Sequence, residues 1–568
     1  MSSRRISKGE VLGLVCLVVG LSAFFVAYVP RQEVPLNDEW CYLHLAQVFH
    51  TRHTVELGGC SAVIPITLYV ASEQFVRIFG SSILSLRLAL LLFAILAVLF
   101  MHGLSRRLGL SAGAALFVSA ALIFSPLAIP NVLLFMTDIP AVAMLLGGTF
   151  FLARSAANGC HKRDLLIALL FYAAGVLTRQ LIVIYAALSF CALPWIVDRP
   201  WRRTWAAGVA ALLICAVFQG VSIWSQARPD HVTGASDLRL TVAGIRDLRG
   251  YIAVLSKTVV TLFAYLLPAV LTAAVGLAAE LKKFRRPHWT VWPLVGAFAI
   301  LLRYGAPFPR LGNMVTEFGF LYPGFMGLGS APEVLTHPVR WLVTLVSAAA
   351  AFLWLACYLP KLTALLCSFF ARSDDQRGPE IRSARILAVQ VIASVLFVLL
   401  TASRYLWWVG DRYFLLPLPF LLLLMLRAAP TPPRAAYVVS GVLIAAFAAF
   451  SSLSLADYVR QQVARRVVAA ELAAAGYSRN EILVGWEQDH AWEIASLGSM
   501  DYAHRGRPPI HQGYAPSYFR AIVPRIGVVV GEAPSSSLVE PACYVSRLAA
   551  RRLCVFALEL SATSLRRP

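Results

Sequence analysis

Apolar runs of about 20 residues, long enough to cross a bilayer as helices, recur along this chain between short polar stretches. They predict about thirteen spans, near residues 11–29, 82–102, 112–130, 138–154, 164–177, 180–197, 205–225, 253–279, 290–304, 340–360, 385–403, 413–427 and 435–455. The runs 164–177 and 290–304 are short and fit a tilted or re-entrant course. After Ala456 the pattern changes. Tyr458 to Ala475 reads as an amphipathic helix stopped at Gly476. The stretches EILVGWE, RIGVVVGE and RRLCVFALEL are short apolar runs bounded by turn residues and read as strands. The expected architecture is an all-α polytopic membrane domain, 1–455, followed by a small α/β domain, 456–568. No internal repeat and no low-complexity linker is visible.

Composition agrees: 59% of residues are hydrophobic and 14% charged, the balance of an integral membrane protein. A formal net charge of +21 would suggest nucleic acid in a soluble chain. Here the cations cluster in alternate short loops, which sets topology instead. Arg4, Arg5 and Lys8 come first, then Arg106 and Arg107, Lys162 and Arg163, Arg199, Arg202 and Arg203, and Lys282 to Arg286. Residues 361–384 and the turn RAAPTPPRAA continue the series. This phase predicts a cytoplasmic N-terminus, with residues 31–81, 228–251, 305–339 and the C-terminal domain outside. The expected location is multi-pass, in the inner membrane of a bacterium or the endoplasmic reticulum of a eukaryote. Val11–Val29 outruns a signal-peptide core and many spans follow, so an uncleaved first helix is expected. No G-x-x-x-x-G-K-[ST] loop is present, which argues against direct use of ATP.

Candidate chemistry concentrates in residues 31–90, between the first two spans. Asp38 and Glu39 lie just beyond the first span, where paired charges are costly unless used. They suit a general base or a helix start with Asn37 or Asp38 as N-cap. Leu68 to Leu88, with Phe75, Ile78 and Phe79 against Glu73, Arg77 and Arg87, reads as a helix lying in the interface. Thr137 and Asp138 open the fourth span. Thr178, Arg179 and Gln180 separate two apolar half-spans, where a guanidinium fits either a phosphate or a snorkelling helix end. Arg404 and Tyr405, with Gly410 to Tyr413, form another polar patch, in which Asp411 and Arg412 could equally brace a helix junction. His44, His50 and His53 follow the acids at spacings that match no tight metal signature. No metal or other cofactor is therefore expected, a divalent ion being the alternative those ligand types leave open.

The acidic pair, the stretch FGSSILSLRL leading into the second span, the TD pair at 137–138, the basic LTRQ and the phrase DRYFLLPLPFLL resemble the GT-C membrane glycosyltransferases. The similarity is to the protein O-mannosyltransferase and lipid A aminoarabinose transferase group, with the dolichyl-phosphate-glucose glucosyltransferases nearby. It covers roughly the first 200 residues well and the remainder by layout. The resemblance implies a GT-C-like fold and transfer of a sugar from a polyprenyl-phosphate donor to a lipid, glycan or protein acceptor. It makes Asp38 the catalytic base, with Glu39 orienting it or binding sugar. Thr137 and Asp138 would line the same cavity. Arg179 and Gln180 would bind the donor phosphate, with Arg404 and Arg412 as further substrate ligands. Direct displacement with inversion is the simplest mechanism. A non-enzymatic flippase or transporter of lipid-linked sugars is the alternative, but it would place charge at the midplane and show paired repeats.

The chain has ten cysteines. Under the predicted topology Cys41, Cys60, Cys543 and Cys554 lie on the oxidising side, where disulfides persist. They form two sequence-local pairs, Cys41 with Cys60 and Cys543 with Cys554, although four cysteines allow three connectivities.

Overall fold

The computed structural model describes residues 7–56, 65–197, 201–227, 247–283, 295–296, 299, 307–309, 314–316, 319–320, 333–370, 379–404, 411–428, 432–497, 525–531 and 536–559. The helices are α1 (Lys8–Tyr28), α2 (Glu39–Arg52), α3 (Ile66–Phe79), α4 (Ile83–Arg107), α5 (Ala112–Ile123), α6 (Ala128–Leu133), α7 (Asp138–Ala157) and α8 (Lys162–Val176). They continue as α9 (Ile182–Ile196), α10 (Trp201–Gln226), α11 (Leu248–Lys283), α12 (His337–Phe370), α13 (Pro379–Arg404), α14 (Leu418–Ala428), α15 (Arg434–Ala474) and α16 (Trp486–Leu497).

Eight helices among the described residues are long and apolar enough to cross a membrane, by length and composition. Ala112–Ile123, Ile182–Ile196 and Leu418–Ala428 are shorter apolar helices. A helix lies on every expected span except 290–304, which falls almost wholly outside the described residues. The chain is a multi-pass membrane protein, mostly helical, with a small C-terminal sheet.

Helix α7 is the centre of the bundle. All its side chains are buried except Phe150, Phe151, Arg154 and Ala157, as expected for a helix apolar all round. Its small residues let α8 approach closely. A Cβ on Gly147 would meet Phe171 at 2.6 Å, and one on Gly148 would meet the Tyr172 ring at 2.9 Å. Buried polar groups are joined across helices: Tyr172 Oη lies 3.0 Å from Thr149 Oγ1, and Gln390 Nε2 donates to Ser189 Oγ at 2.6 Å. That network ties α7, α8, α9 and α13 together.

The amphipathic run after the first loop does not continue unbroken to Leu88. Helix α3 stops at Gly80, whose φ of 83° is open to glycine. Ser82 then caps α4 by accepting from the Ser85 N–H at 3.1 Å. On α3, Ile78 and Phe79 are 72% and 58% exposed, while Glu73 is buried and bonded to both His50 (2.8 Å) and Arg77 (2.7 Å).

The expected boundary near Ala456 falls inside a helix. Helix α15 runs 41 residues, roughly 60 Å at 1.5 Å per residue. Neither glycine nor proline interrupts 456–474, so nothing stops the helix before Gly476 (φ 94°). Its first part packs in the main core through Ile444, Leu455 and Tyr458. Its last turns place Ala464, Val468 and Leu472 against Ile482, Ile526, Val528, Val530 and Val555 of the sheet.

A two-residue pair, β1 (Val315–Thr316) and β2 (Gly319–Phe320), is antiparallel. The C-terminal sheet has β3 (Ile482–Leu483), β4 (Ile526–Gly531), β5 (Ala542–Ser546) and β6 (Arg551–Glu559) in the order β3-β4-β6-β5. β3 pairs parallel to β4, and the other pairs are antiparallel. The stretch EILVGWE thus supplies only a two-residue strand before its end turns into α16. Cys543 and Cys554 are cross-strand partners joined by a disulfide, with Cα atoms 4.0 Å apart. Cys41 is disulfide-bonded; Cys60, its expected partner, lies outside the described residues.

Candidate functional site

The site is assembled where the start of α2, the α8–α9 junction, the start of α7 and the 3-10 turn Asp411–Leu415 converge. Asp38 occupies the N-cap position of α2, yet its side chain makes no capping hydrogen bond. Instead its Oδ2 accepts from Arg412 Nη1 at 2.6 Å. Asp38 is 27% exposed and Arg412 12%, so the pair reaches solvent at one edge.

Glu39 points the other way, and both it and Arg87 are 0% exposed. Arg87 Nε donates to Oε1 at 2.8 Å and Nη2 to Oε2 at 2.6 Å. The Leu36 and Phe135 N–H groups donate to the same carboxylate at 2.9 and 2.6 Å. The Arg87 fork also donates to Pro30 O and Val34 O. These bonds occupy the carboxylate and pin the first loop onto α4. Such a geometry suits orientation of the α2 start and leaves no free oxygen for sugar. A lone arginine inside the apolar run SLRLALLL was the sequence signal for this partner.

Asp138 and Arg179 are brought together: Oδ1 and Nη2 lie 2.7 Å apart, with exposures of 3% and 4%. Arg179 Nε donates to Thr137 Oγ1 at 3.2 Å. Arg179 is therefore turned inward and does not snorkel along its helix. Thr67 anchors α3 to this junction by donating to Ala174 O at 2.7 Å. Gln180 is half-buried, and its Nε2 has no hydrogen-bond partner among the described residues.

Tyr413 joins the two arginines. Its ring centroid lies 5.1 Å from Arg179 Cζ and 5.7 Å from Arg412 Cζ, within cation–π range. Tyr42, 6% exposed, faces the same cluster. Burial pushes its hydroxyl up to about 12; Arg412 and Arg179 pull it down while Asp38 and Asp138 push it up. Tyr42 stays a neutral donor at any physiological pH. Sequence reasoning missed it, since one tyrosine in a helix carries no pattern.

Asp411 is fully buried and holds the site's other wall. It accepts from Tyr265 Oη (2.9 Å), Met314 N (2.8 Å) and Val315 N (3.0 Å). Met314 and Val315 are thereby fastened beside Arg412. The Arg404 side chain, Tyr405 and Gly410 lie outside the described residues. Of the histidines, His50 is bound to Glu73, His44 is half-buried and His53 ends α2. Among the described residues no group of three or more His, Cys, Asp or Glu could hold a metal ion.

A protein-family model described as dolichyl-phosphate-mannose-protein mannosyltransferase matches residues 64–224. The match contains Thr137, Asp138, Arg179 and Gln180 and begins after the acidic pair. No curated protein matches the chain. Among solved structures, ArnT from Cupriavidus metallidurans in the apo state is 15% identical, with TM-score 0.39, over 98% of this chain and 99% of that one. The Archaeoglobus fulgidus oligosaccharyltransferase in the apo form is 13% identical, with TM-score 0.40, over 82% of this chain and 58% of that one. Residues 64–224 of this multi-pass chain therefore resemble the family described as dolichyl-phosphate-mannose-protein mannosyltransferase.

Proposed function

We propose that this protein is a membrane glycosyltransferase that moves a sugar from a polyprenyl-phosphate donor to a hydroxyl of a lipid, glycan or protein acceptor. The carrying observation is the partly exposed Asp38–Arg412 pair at 2.6 Å, backed by Tyr413 and the buried Arg179–Asp138 pair. One partly exposed carboxylate, paired to a guanidinium that can be drawn off to a phosphate, thus sits at the head of the cluster. The family description for residues 64–224 names a dolichyl-phosphate sugar donor and supports the same reading.

In the proposed reaction the acceptor hydroxyl attacks the anomeric carbon as the carbon–phosphate-oxygen bond breaks. Its proton passes to Asp38, and the bonding electrons leave with the polyprenyl phosphate. Arg412 exchanges its bond to Asp38 for one to the phosphate, which frees the base as the leaving group is bound. Arg179, held from behind by Asp138 and Thr137, adds positive field through the Tyr413 face. A single displacement inverts the anomeric centre. Glu39 holds the α2 start, and Thr137, Asp138 and Gln180 shape the phosphate end. Arg404 is assigned to the same end from its place in the sequence.

The N-terminus is assigned to the cytoplasm, and the first loop and C-terminal domain to the opposite face. A contact between the latter two supports a shared side: Arg466 Nη1 donates to Glu33 O at 3.1 Å. The test incubates purified full-length protein with radiolabelled polyprenyl-phosphate mannose, glucose and aminoarabinose, plus a membrane extract as acceptor. Transfer from one donor is expected; failure with the whole panel would overturn the reading.

A further inference from the structure

We propose that Glu487, on α16 of the C-terminal domain, is a positioning residue for Asp38, so that the C-terminal domain completes the site. The inference rests on the reading of Asp38 as the base.

The geometry starts at the helix that carries Glu487. Gly485 precedes α16 with φ 143°, a backbone form other residues rarely adopt. Asp489 accepts from the Val484 N–H at 3.1 Å and the Gly485 N–H at 2.8 Å, and pairs with Arg479 at 2.8 Å. These bonds fix the first turn of α16. Glu487 is 8% exposed. From α15, the Tyr458 hydroxyl donates to its Oε1, and Gln462 Nε2 donates to its Oε2 at 3.0 Å. From the other side the Asn37 N–H and the charge of Asp38 act on the same carboxyl. Asn37 itself sits at φ 55°, in the left-handed region, so the turn into Asp38 depends on what holds it. One turn further along α16, His490 stacks on Trp40 with ring centroids 4.6 Å apart. The C-terminal domain thereby grips the residues on both sides of Asp38.

The groups facing Glu487 decide how it responds to pH. They are Asp38 before α2, Asp489 on its own helix, and Tyr458 on α15. Burial pushes Glu487 up to about 8; Asp38 and Asp489 push the same way, and the Asn37 N–H pulls against them. A carboxyl raised in the folded state favours docking most fully below its ordinary range near 4.5. That contribution is lost as pH rises through about 8. Ionised Glu487 would put a buried negative charge beside the partly exposed Asp38, disturbing the turn and lowering the rate.

The test uses full-length protein, the donor active in the panel above, and undecaprenyl phosphate alone as a binding probe. Glu487→Ala should lower kcat by about 10- to 100-fold, the scale for a misplaced catalytic group, with the Kd for undecaprenyl phosphate within about twofold of the parent. Glu487→Gln keeps the shape and a polar contact, so it should recover most of that loss while abolishing the fall in rate near pH 8. Tyr458→Phe removes a donor that favours the charged form, so it should move that fall to higher pH. The inference is overturned if all three variants keep the parent's kcat and pH profile, or if kcat and phosphate binding fall together. If Glu487→Ala does not fold, the other two variants decide. Asp38→Asn runs alongside: if it stays fully active, the glycosyltransferase reading fails at its base, whatever Glu487 does.

Discussion

Arg412 and Asp38 lie 374 residues apart in sequence and 2.6 Å apart in space. This one contact brings the 3-10 turn Asp411–Leu415 to the start of α2 and takes the Asp38 side chain away from capping its own helix. A capping aspartate would spend its oxygens on N–H groups of its own helix, and Asp38 spends none.

Asp38→Asn should therefore reduce sugar transfer by about 10²- to 10⁴-fold, the usual contribution of a general base. Binding of undecaprenyl phosphate should hold or tighten, because Arg412 is released. Turnover rates with the panel donor, beside a binding titration, check both halves. Near-parent turnover excludes Asp38 as the base.

The two arginines should separate in their effects. Arg412→Ala removes the proposed phosphate ligand, so binding of undecaprenyl phosphate should weaken about tenfold or more. Arg179→Ala also strands Asp138 in a buried place, a loss of about 3–5 kcal/mol in stability. Thermal unfolding in detergent should show a large drop for Arg179→Ala and a small one for Arg412→Ala. Equal drops would contradict the division of roles.

Arg87 and Glu39 should behave as a structural pair. Arg87→Ala leaves a buried carboxylate uncompensated, again about 3–5 kcal/mol. Arg87→Lys should not rescue it, because a lysine cannot reproduce the fork that binds both Glu39 oxygens and two backbone carbonyls. The yield of folded protein and its Tm are the readouts, and parent-like values for the lysine variant would sink the argument.

Topology and redox chemistry give a joint prediction. A reporter fused after Pro568 should be active outside the cytoplasm. Cys543 and Cys554 should resist alkylation until reduced, in the intact protein. Replacing both by serine removes a closed loop of sequence separation 11 and should cost about 2–3 kcal/mol. A reporter active only in the cytoplasm would refute the orientation.

The helical membrane architecture was legible because period and length carry it: runs near Ile83–Arg107 and Asp138–Ala157 are written in consecutive apolar residues. The C-terminal sheet was legible for a similar reason in RIGVVVGE and RRLCVFALEL. The change of texture at Ala456 marks no break in the backbone, because the helix Arg434–Ala474 runs through it while its packing passes from the main core to the sheet.

The sequence by itself determined which residue types could do chemistry, since charges next to apolar spans stand out and are costly to keep. Asp38, Glu39, Asp138, Arg179 and Arg412 were all visible on that ground. Their partners were decided by the tertiary structure alone. Glu39 faces Arg87 and Asp38 faces Arg412 because α2 begins between α4 and the turn Asp411–Leu415. The C-terminal helix α16 meets the start of α2, with His490 stacked on Trp40, because α15 continues unbroken from the main core into the sheet's core. Periodicity reports which face of an element is apolar, but long-range packing chooses which charges meet.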